Sequence, residues 1–330
     1  MKFRTELNIP ESDRKITHFR PLLGIGSCFV DSIGDKLEEA KFQNLSNPFG
    51  TLFHPLAIEN ALARILSLTK YTQEEIFKYG ELYFSWDHHT SFSHISIEAT
   101  LDKINSELEY ANDFVQKAEV FLLTFGTAWV YKIKEMGLFV ANCHKVPNSN
   151  FDKYLLDDKQ IQASLKNCFN LIQDINPNAQ IIATVSPVRH IKDGIVENNI
   201  SKSKLVSNLF DVAMRYENVE YFPAYEIMMD DLRDYRFYKP DLVHPTDRAI
   251  DYIWEKFSNT YFDAETFDKM KIAQKIGMAL AHRPLNSQTT SYKEFLYKTR
   301  KHIESIENLF PPNSFLTEKL TLQKLMRNAD

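Results

Sequence analysis

The sequence predicts a doubly wound α/β domain, a parallel sheet covered by helices on both faces, followed by a helical C-terminal extension. Three observations predict it. Four short, largely apolar runs (Leu22 to Ile25, Val120 to Thr124, Ile181 to Val185, Val219 to Phe222) stand far apart in the chain. The material between them has helical period, the mark of a sheet buried on both sides. Glycine is scarce, 9 in 330 residues, against 24 Phe and 15 Tyr; that opposes a turn-dense all-β sandwich and favours a core or pocket lined with rings.

In chain order, the first run ends in Gly26-Ser27-Cys28-Phe29 and turns directly into a helix-like stretch. A second strand is expected around Phe42 to Leu45, before Asn47-Pro48-Phe49-Gly50. Ile58, Leu62, Ile65 and Leu66 form one helical stripe, and Leu101, Ile104, Leu108 and Ala111 another. The Val120 strand runs into Phe125-Gly126-Thr127-Ala128-Trp129. Trp129 to Ala141, with Glu135-Met136-Gly137 in its middle, then reads as an inserted β-hairpin. A third stripe (Ile161, Leu165, Phe169, Ile172) stops at Asn176-Pro177, where helices commonly end. The α/β domain spans residues 1–262. Beyond it no strand pattern follows. Ile272, Ile276, Ala279 and Leu280 suggest one helix, and Phe295, Leu296, Ile303 and Ile306 another, with a break at Arg283-Pro284. Residues 263–330 therefore read as a helical extension packed on the core.

Composition narrows the function. A net charge of −5 gives no reason to expect nucleic acid. No window nears the ~18 consecutive apolar residues of a membrane helix, and Met1 to Leu7 lacks the apolar stretch of a signal peptide. Cys28, Cys143 and Cys168 are odd in number and widely spaced, so they form no disulfide framework, and a reducing, cytoplasmic setting is expected. The oligomeric state stays open.

Two segments carry the sharpest chemistry. Gly26 lets the chain turn sharply at a strand end, placing the next side chains at the mouth of the sheet beside a helix N-terminus. A thiol there is expected to have a lowered pKa; a serine would need a neighbouring base. The plainer alternative makes Ser27 an N-cap and Cys28 a small buried hydrophobe. Far downstream, Asp241-x-x-His244 precedes Pro245 and another helix. A carboxylate accepting from imidazole Nδ1–H fixes the tautomer of a general base; a capped helix start with both side chains solvated is the alternative.

Other segments support these two. The Gly50 N–H after the second strand suits an oxyanion hole, unless Asn47 to Thr51 is a simple turn. Gly126 follows the carboxyl end of a strand, where open α/β sheets bind ligands. Asn142-Cys143-His144-Lys145 has neither zinc spacing nor a companion motif, so no metal is expected; Asn142 or His144 contributes to the pocket instead. Trp86-Asp87-His88-His89 reads as pocket wall. Arg189 and Arg236 lie near the same sheet edge and suit an anionic or sugar-linked substrate; ion pairs with Asp230, Asp231 and Asp234 are the alternative.

Together Gly26-Ser27-Cys28-Phe29, Asn142-Cys143-His144-Lys145, Ser186-Pro187-Val188-Arg189-His190 and Asp241-x-x-His244-Pro245 resemble the bacterial GSCFA family, over about residues 3 to 260. That family is grouped with the SGNH (GDSL-like) hydrolases. The resemblance implies a flavodoxin-like three-layer α/β/α sandwich and acyl-ester hydrolysis without a cofactor. Laid on the Gly-Asp-Ser turn of those esterases, Cys28 takes the nucleophile position and Ser27 stands beside it. His244 and Asp241 complete the triad, and N–H groups of Cys28 and Gly50 hold the oxyanion. The usual Gly-x-Asn-Asp block is Gly126-Thr127-Ala128-Trp129, so Thr127, Asn142 or His89 would have to replace its Asn. The expected substrate is a small or carbohydrate-linked acyl ester. An acyltransferase using the same site, or a catalytically inactive small-molecule or glycan-binding protein, are the alternatives.

Overall fold

The computed structural model describes residues 5–282 and 284–329. The reading of Met1 to Arg4, and the Arg283 half of the expected break, lie outside the described residues. Strand β1 (Leu22–Gly26) turns into α1 (Cys28–Glu39), followed by β2 (Asn44–Ser46) and α2 (Pro55–Ser67). A small hairpin, β3 (Phe77–Tyr79) and β4 (Leu82–Phe84), precedes α3 (Ile97–Val115) and β5 (Val120–Phe125). An antiparallel insertion follows: β6 (Trp129–Ile133), β7 (Phe139–Val140) and β8 (Phe151–Leu155). The chain then runs through α4 (Asp158–Ile175), β9 (Gln180–Val185), α5 (Ile195–Ala213), β10 (Val219–Phe222), the single turn α6 (Ala224–Glu226) and α7 (Asp247–Tyr261).

Five strands form the central sheet in the order β10-β9-β5-β1-β2, all parallel. Numbered by appearance within the sheet, this is the 2-1-3-4-5 winding of flavodoxin-like folds, whose direction reverses between β1 and β5. Side-chain alternation along the strands fills two separate cores. Leu23, Ile25, Phe121, Leu123 and Phe125 face α2, α3, α4 and α5. Leu22, Val120, Leu122 and Phe222 face α1 and α7 through Phe29, Ile33, Ile253 and Phe257. The three-layer sandwich follows directly, because residues apolar on both faces admit no solvated side.

The expected β-hairpin within Trp129 to Ala141 is present, with Tyr131 opposite Val140, and β8 adds a third strand beyond β6. The β3–β4 hairpin was not anticipated. Its two-residue turn places Gly80 at φ +60, the left-handed region that glycine enters without a Cβ penalty. Beyond the sandwich lie α8 (Ala264–Ala281), α9 (Thr290–Ile306) and α10 (Leu316–Ala329). The third of these was unforeseen because Leu316 and Leu320 are exposed and blur its stripe. Ala273 and Ile276 pack with Ile303, Ile306, Phe310 and Phe315. His18 links this cluster to the sandwich, stacked on Phe42 at 4.2 Å and edge-on to Phe310 at 5.1 Å. Lys41 pairs with Glu318 of α10. Among the described residues, no helix is long and apolar enough to cross a membrane.

Candidate active site

Cys28 begins α1 directly after β1, at the carboxyl end of the sheet where its winding reverses. Gly26 makes the turn possible. At φ +148 its missing Cβ would lie 2.2 Å from the Thr124 carbonyl oxygen, so only glycine lets β1 sit this close to β5. The Gly26 N–H donates to Asn47 Oδ1 at 2.8 Å, and Asn47 Nδ2 donates to Asp31 Oδ1 at 2.7 Å. Ser27 is fully buried, and its Oγ accepts the Phe29 N–H at 3.4 Å as the helix N-cap. That leaves Cys28, half-buried, as the side chain offered to the sheet edge. Its N–H donates to no other residue among the described ones and lies against its own thiol, whose charged form it favours.

The thiol departs from the sequence-based expectation. Burial, and then the neighbouring Asp31 carboxylate, push the Cys28 pKa up, against the opposing charges of Lys202 and Lys239. A helix N-terminus therefore does not by itself hold this cysteine as thiolate, because desolvation of the anion outweighs it. Asp31 is itself pushed up by burial, although Asn47 donates to it.

The Asp241–His244 pair is formed. His244 Nδ1 lies 2.7 Å from Asp241 Oδ2, while Oδ1 accepts the N–H groups of Val243 and His244 at 3.0 Å. These donors hold the carboxyl pKa down to about 2. Ionised, Asp241 can only accept, so Nδ1 carries the hydrogen and Nε2 is left as the basic nitrogen. Leu242 at φ +61 tightens the loop, and Thr246 caps α7 behind it. Among the described residues no hydrogen bond joins His244 to Cys28. The two segments nevertheless share an edge. Lys239 acts on Cys28, and His244 acts on His190, whose Nε2 lies 3.0 Å from where a Cβ on Gly126 would be.

Several expected site residues are otherwise employed. The Gly50 N–H donates to Asn47 O at 2.7 Å within a turn, so it is not an oxyanion donor. Gly50 itself, at φ +72, makes room for His89, whose Cβ would be 2.4 Å from a Cβ at position 50. The N–H groups of Gly126 and Thr127 both donate to Phe53 O, at 2.7 and 2.8 Å. The Thr127 hydroxyl is buried against Ser201 Oγ at 3.0 Å. Asn142 Oδ1 closes a local turn onto the His144 N–H at 2.9 Å. His144 bonds Ser85 O at 2.9 Å and stacks on Phe84 at 4.2 Å, inside the aromatic cluster under the β6–β8 insertion. Asn47 is a pin for the Cys28 turn rather than a substrate ligand. The polar side-chain atoms of Thr127 and Asn47 are thus spent on the fold, whereas His144 keeps Nδ1 buried without a hydrogen bond and Asn142 uses only Oδ1 in its local turn.

His89 stays half-exposed at this edge, with Nδ1 near Ser91 Oγ at 3.2 Å and its charge coupled to Asp31. Arg236 is exposed and pairs with Asp234, so the ion-pair alternative is the one observed for it; its neighbour Arg233 pairs with Asp230. Arg189 is different. One of its nitrogens donates to Met229 Sδ at 3.1 Å, its Nε is buried without a partner, and its plane lies 5.9 Å from the Tyr238 ring. Among the described residues no group of three or more His, Cys, Asp or Glu side chains could hold a metal ion.

One residue went unnoticed in the sequence, and His190 was read only as part of the Ser186 to His190 motif, without a role of its own. Lys202 on α5 is 1% exposed and donates to Ser186 O at 2.7 Å; burial lowers its pKa to about 7, with Cys28 opposing. His190 lies edge-on to Phe53 at 5.1 Å, and burial, then Lys202 and His244, lower its pKa to about 3. The signal for Lys202 was its place on one helical stripe with Asn198, Leu205, Leu209 and Val212.

Fold and site thus define a flavodoxin-like α/β/α sandwich that carries a cysteine turn at its switch point and an Asp–His pair on the loop before α7. The chain belongs to the GSCFA family, whose profile matches residues 21–257. A second profile, described as the C-terminal domain of GSCFA domain proteins, matches residues 273–328. No curated protein matches the sequence. Among solved structures the chain is similar to an acetyl xylan esterase from the rumen bacterium Butyrivibrio proteoclasticus, with TM-score 0.39, 10% identity, and coverage of 76% of this chain and 64% of that one. The chain thus spans just under two thirds of that protein. It is also similar to a carbohydrate esterase family 3 protein from Talaromyces cellulolyticus, with TM-score 0.37, 8% identity, and coverage of 76% and 98%. At these scores the two likenesses carry no argument about chemistry.

Proposed function

We propose that this chain is an SGNH-type ester hydrolase that cleaves an acyl ester, with a carbohydrate O-acyl group as the substrate class, through a thioester on Cys28. The observation that carries the reading is the 2.7 Å bond between Asp241 and His244 Nδ1, on a loop whose charges reach the Cys28 edge. Because the thiol's pKa is pushed up by burial, the nucleophile needs a base when it attacks. His244 Nε2 takes the Cys28 proton as Sγ adds to the ester carbonyl, and returns it to the departing alkoxide. Water then adds to the thioester carbonyl, giving its proton to His244, and the acid leaves as the thiol is restored. The Cys28 N–H, which donates to no other residue among the described ones, is the backbone donor offered to the oxyanion.

The test is hydrolysis of p-nitrophenyl acetate and of an acetylated oligosaccharide by wild type, Cys28→Ala, Cys28→Ser and Ser27→Ala. Cys28→Ala should abolish turnover, Ser27→Ala should lower it modestly through loss of the cap, and Cys28→Ser should keep some. An inactive Ser27→Ala beside an active Cys28→Ala would instead make serine the nucleophile. The spent N–H groups of Gly50, Gly126 and Thr127 favour a second reading, a catalytically inactive glycan-binding protein. Saturable binding of the acetylated oligosaccharide without release of acetate would select it.

A further inference from the structure

Helix α5 carries apolar side chains on two opposite faces. Leu205, Leu209 and Val212 pack inward against the sheet. On the far side, Val196, Ile200, Phe210 and Met214 stand 64%, 46%, 51% and 72% exposed. At about 100° per residue, these four and the exposed Ser203 and Ser207 fall within roughly 40° of one line along the helix. Exposed apolar side chains scattered singly are ordinary, but a continuous stripe of them marks a surface that something covers. The neighbouring helix α4 exposes none of its large apolar side chains. α5 also lies at the end of its helical layer, with α4 as its neighbour there.

The spacing of this stripe is palindromic. Val196 and Met214, Ile200 and Phe210, and Ser203 and Ser207 are each equidistant from position 205. Two such helices laid antiparallel about a two-fold axis at that point set each of these residues against its counterpart, and every contact is made twice. A two-fold interface demands this self-complementarity. The serines are small where the helices cross, so the backbones can approach closely while the larger side chains fill the space on either side. We infer that the outer face of α5 pairs with the same face of a second copy of this chain, antiparallel and in this register. α5 is 19 residues long, about 28 Å, and the exposed Ile191 and Ile195 extend the patch at its N-terminal end. A pair of this length buries roughly 1,000 Å² in total, near the lower end of specific interfaces, so association should be micromolar. A membrane surface fits the stripe less well. Its flanks carry Glu197, Asn199, Lys204, Asp211 and Arg215, a mixed set unlike the lysines and arginines of an interfacial helix, and a bilayer makes no use of palindromic spacing.

The test needs no substrate, so its outcome is separate from that of the hydrolase reading. In sedimentation velocity across the micromolar range, the 38.5 kDa chain should give way to a species of twice that mass as concentration rises. Ile200→Lys and Phe210→Glu, both at exposed positions and checked for folding by circular dichroism, should each weaken association by ~30-fold or more. Mixed in equal amounts, the two variants should pair with each other. Their introduced charges then meet as opposites, while the native contact of Ile200 with Phe210 remains at the other end. A chain that stays monomeric, a dimer indifferent to both substitutions, or a mixture that stays monomeric would each overturn the inference. Hydrogen exchange of wild type at low and high concentration covers the case in which a variant does not fold. Exchange across α5 should slow as the dimer forms; unchanged exchange there beside a doubled mass would put the interface elsewhere. Co-sedimentation of a persistently monomeric chain with phosphatidylcholine–phosphatidylglycerol vesicles would give this face to a membrane instead.

Discussion

Asp241 holds His244 at two points: Oδ2 takes the imidazole Nδ1–H at 2.7 Å, and Oδ1 takes the same residue's backbone N–H at 3.0 Å. Ring and main chain are fixed by one carboxylate, so the tautomer and the direction of Nε2 are set together. Asp241→Asn should keep the loop but lose the fixed tautomer. For the proposed reaction, kcat is expected to fall by about 10³- to 10⁴-fold with little change in KM. Steady-state kinetics on p-nitrophenyl acetate check this, and an unchanged kcat would remove Asp241 from the mechanism. The folded-state pKa of Asp241 is depressed, so its hydrogen bonds are present above the ordinary carboxylate value and vanish as pH falls through about 2. Carboxyl 13C shifts should show it ionised at pH 3.5.

Gly26→Ala should be among the most damaging single-methyl changes in the chain. The new Cβ would meet backbone atoms of Thr124 at 2.2 to 2.9 Å, and φ +148 is foreign to alanine. Backbone cannot rotate away as a side-chain tip can, so a loss of about 3 kcal/mol is expected in urea unfolding. A change below ~1 kcal/mol would show that β1 and β5 can separate at little cost.

Acid should destabilise the fold well above the carboxylate range. His18, His54 and His144 have pKa values lowered by burial to about 4, and His88 to about 3. A buried neutral histidine gains its proton on unfolding, so stability is full above the unfolded-state value near 6.5. It falls as pH drops toward the folded-state pKa, by about 1.4 kcal/mol per pH unit for each histidine. His88 isolates the effect. It is fully buried with neither ring nitrogen bonded, stacked on Phe49 at 4.3 Å. His88→Phe should flatten the decline between pH 6.5 and 4 in a denaturant series; parallel curves would place the proton uptake elsewhere.

The two arginines expected at the site should separate. Arg236 is 74% exposed and pairs with Asp234 at 3.7 Å, so Arg236→Ala should change stability by less than ~0.5 kcal/mol and leave turnover near wild type. Arg189→Ala removes a guanidinium that lies beside Tyr238, and should weaken binding of an anionic or sugar-linked substrate, read as a raised KM. Equal effects of the two substitutions would argue against a substrate role for Arg189.

The sequence made β1, β5 and β9 legible because each is largely apolar and buried on both faces, and the Asp–His pair legible because three residues separate it. What it hid depends on hydrogen bonds made across the fold. The Gly50 and Gly126 N–H groups look free in a linear sequence, yet Asn47 O and Phe53 O take them. Asn47 resembles a ligand until its side chain is seen bridging Gly26 and Asp31. The Cys28 pKa was misjudged because helix polarity is visible in sequence, whereas burial and the approach of Asp31 come only with packing. Lys202 sits in Ser201-Lys202-Ser203-Lys204, which reads as a solvated helix face unless the stripe through Leu205 and Leu209 is followed.

The all-parallel winding of the central sheet also bears on how the chain reaches its native state. Leu22 pairs with Val120, so joining β1 to β5 closes a loop of about one hundred residues, and no tight turn assists any neighbouring pair in that sheet. The β3–β4 and β6–β7 hairpins are local and can form in microseconds, but they lie outside the sheet that buries the main cores. Refolding should accordingly be slow, paced by long-range closure, with hydrophobic strands left open to aggregation while they wait for their partners.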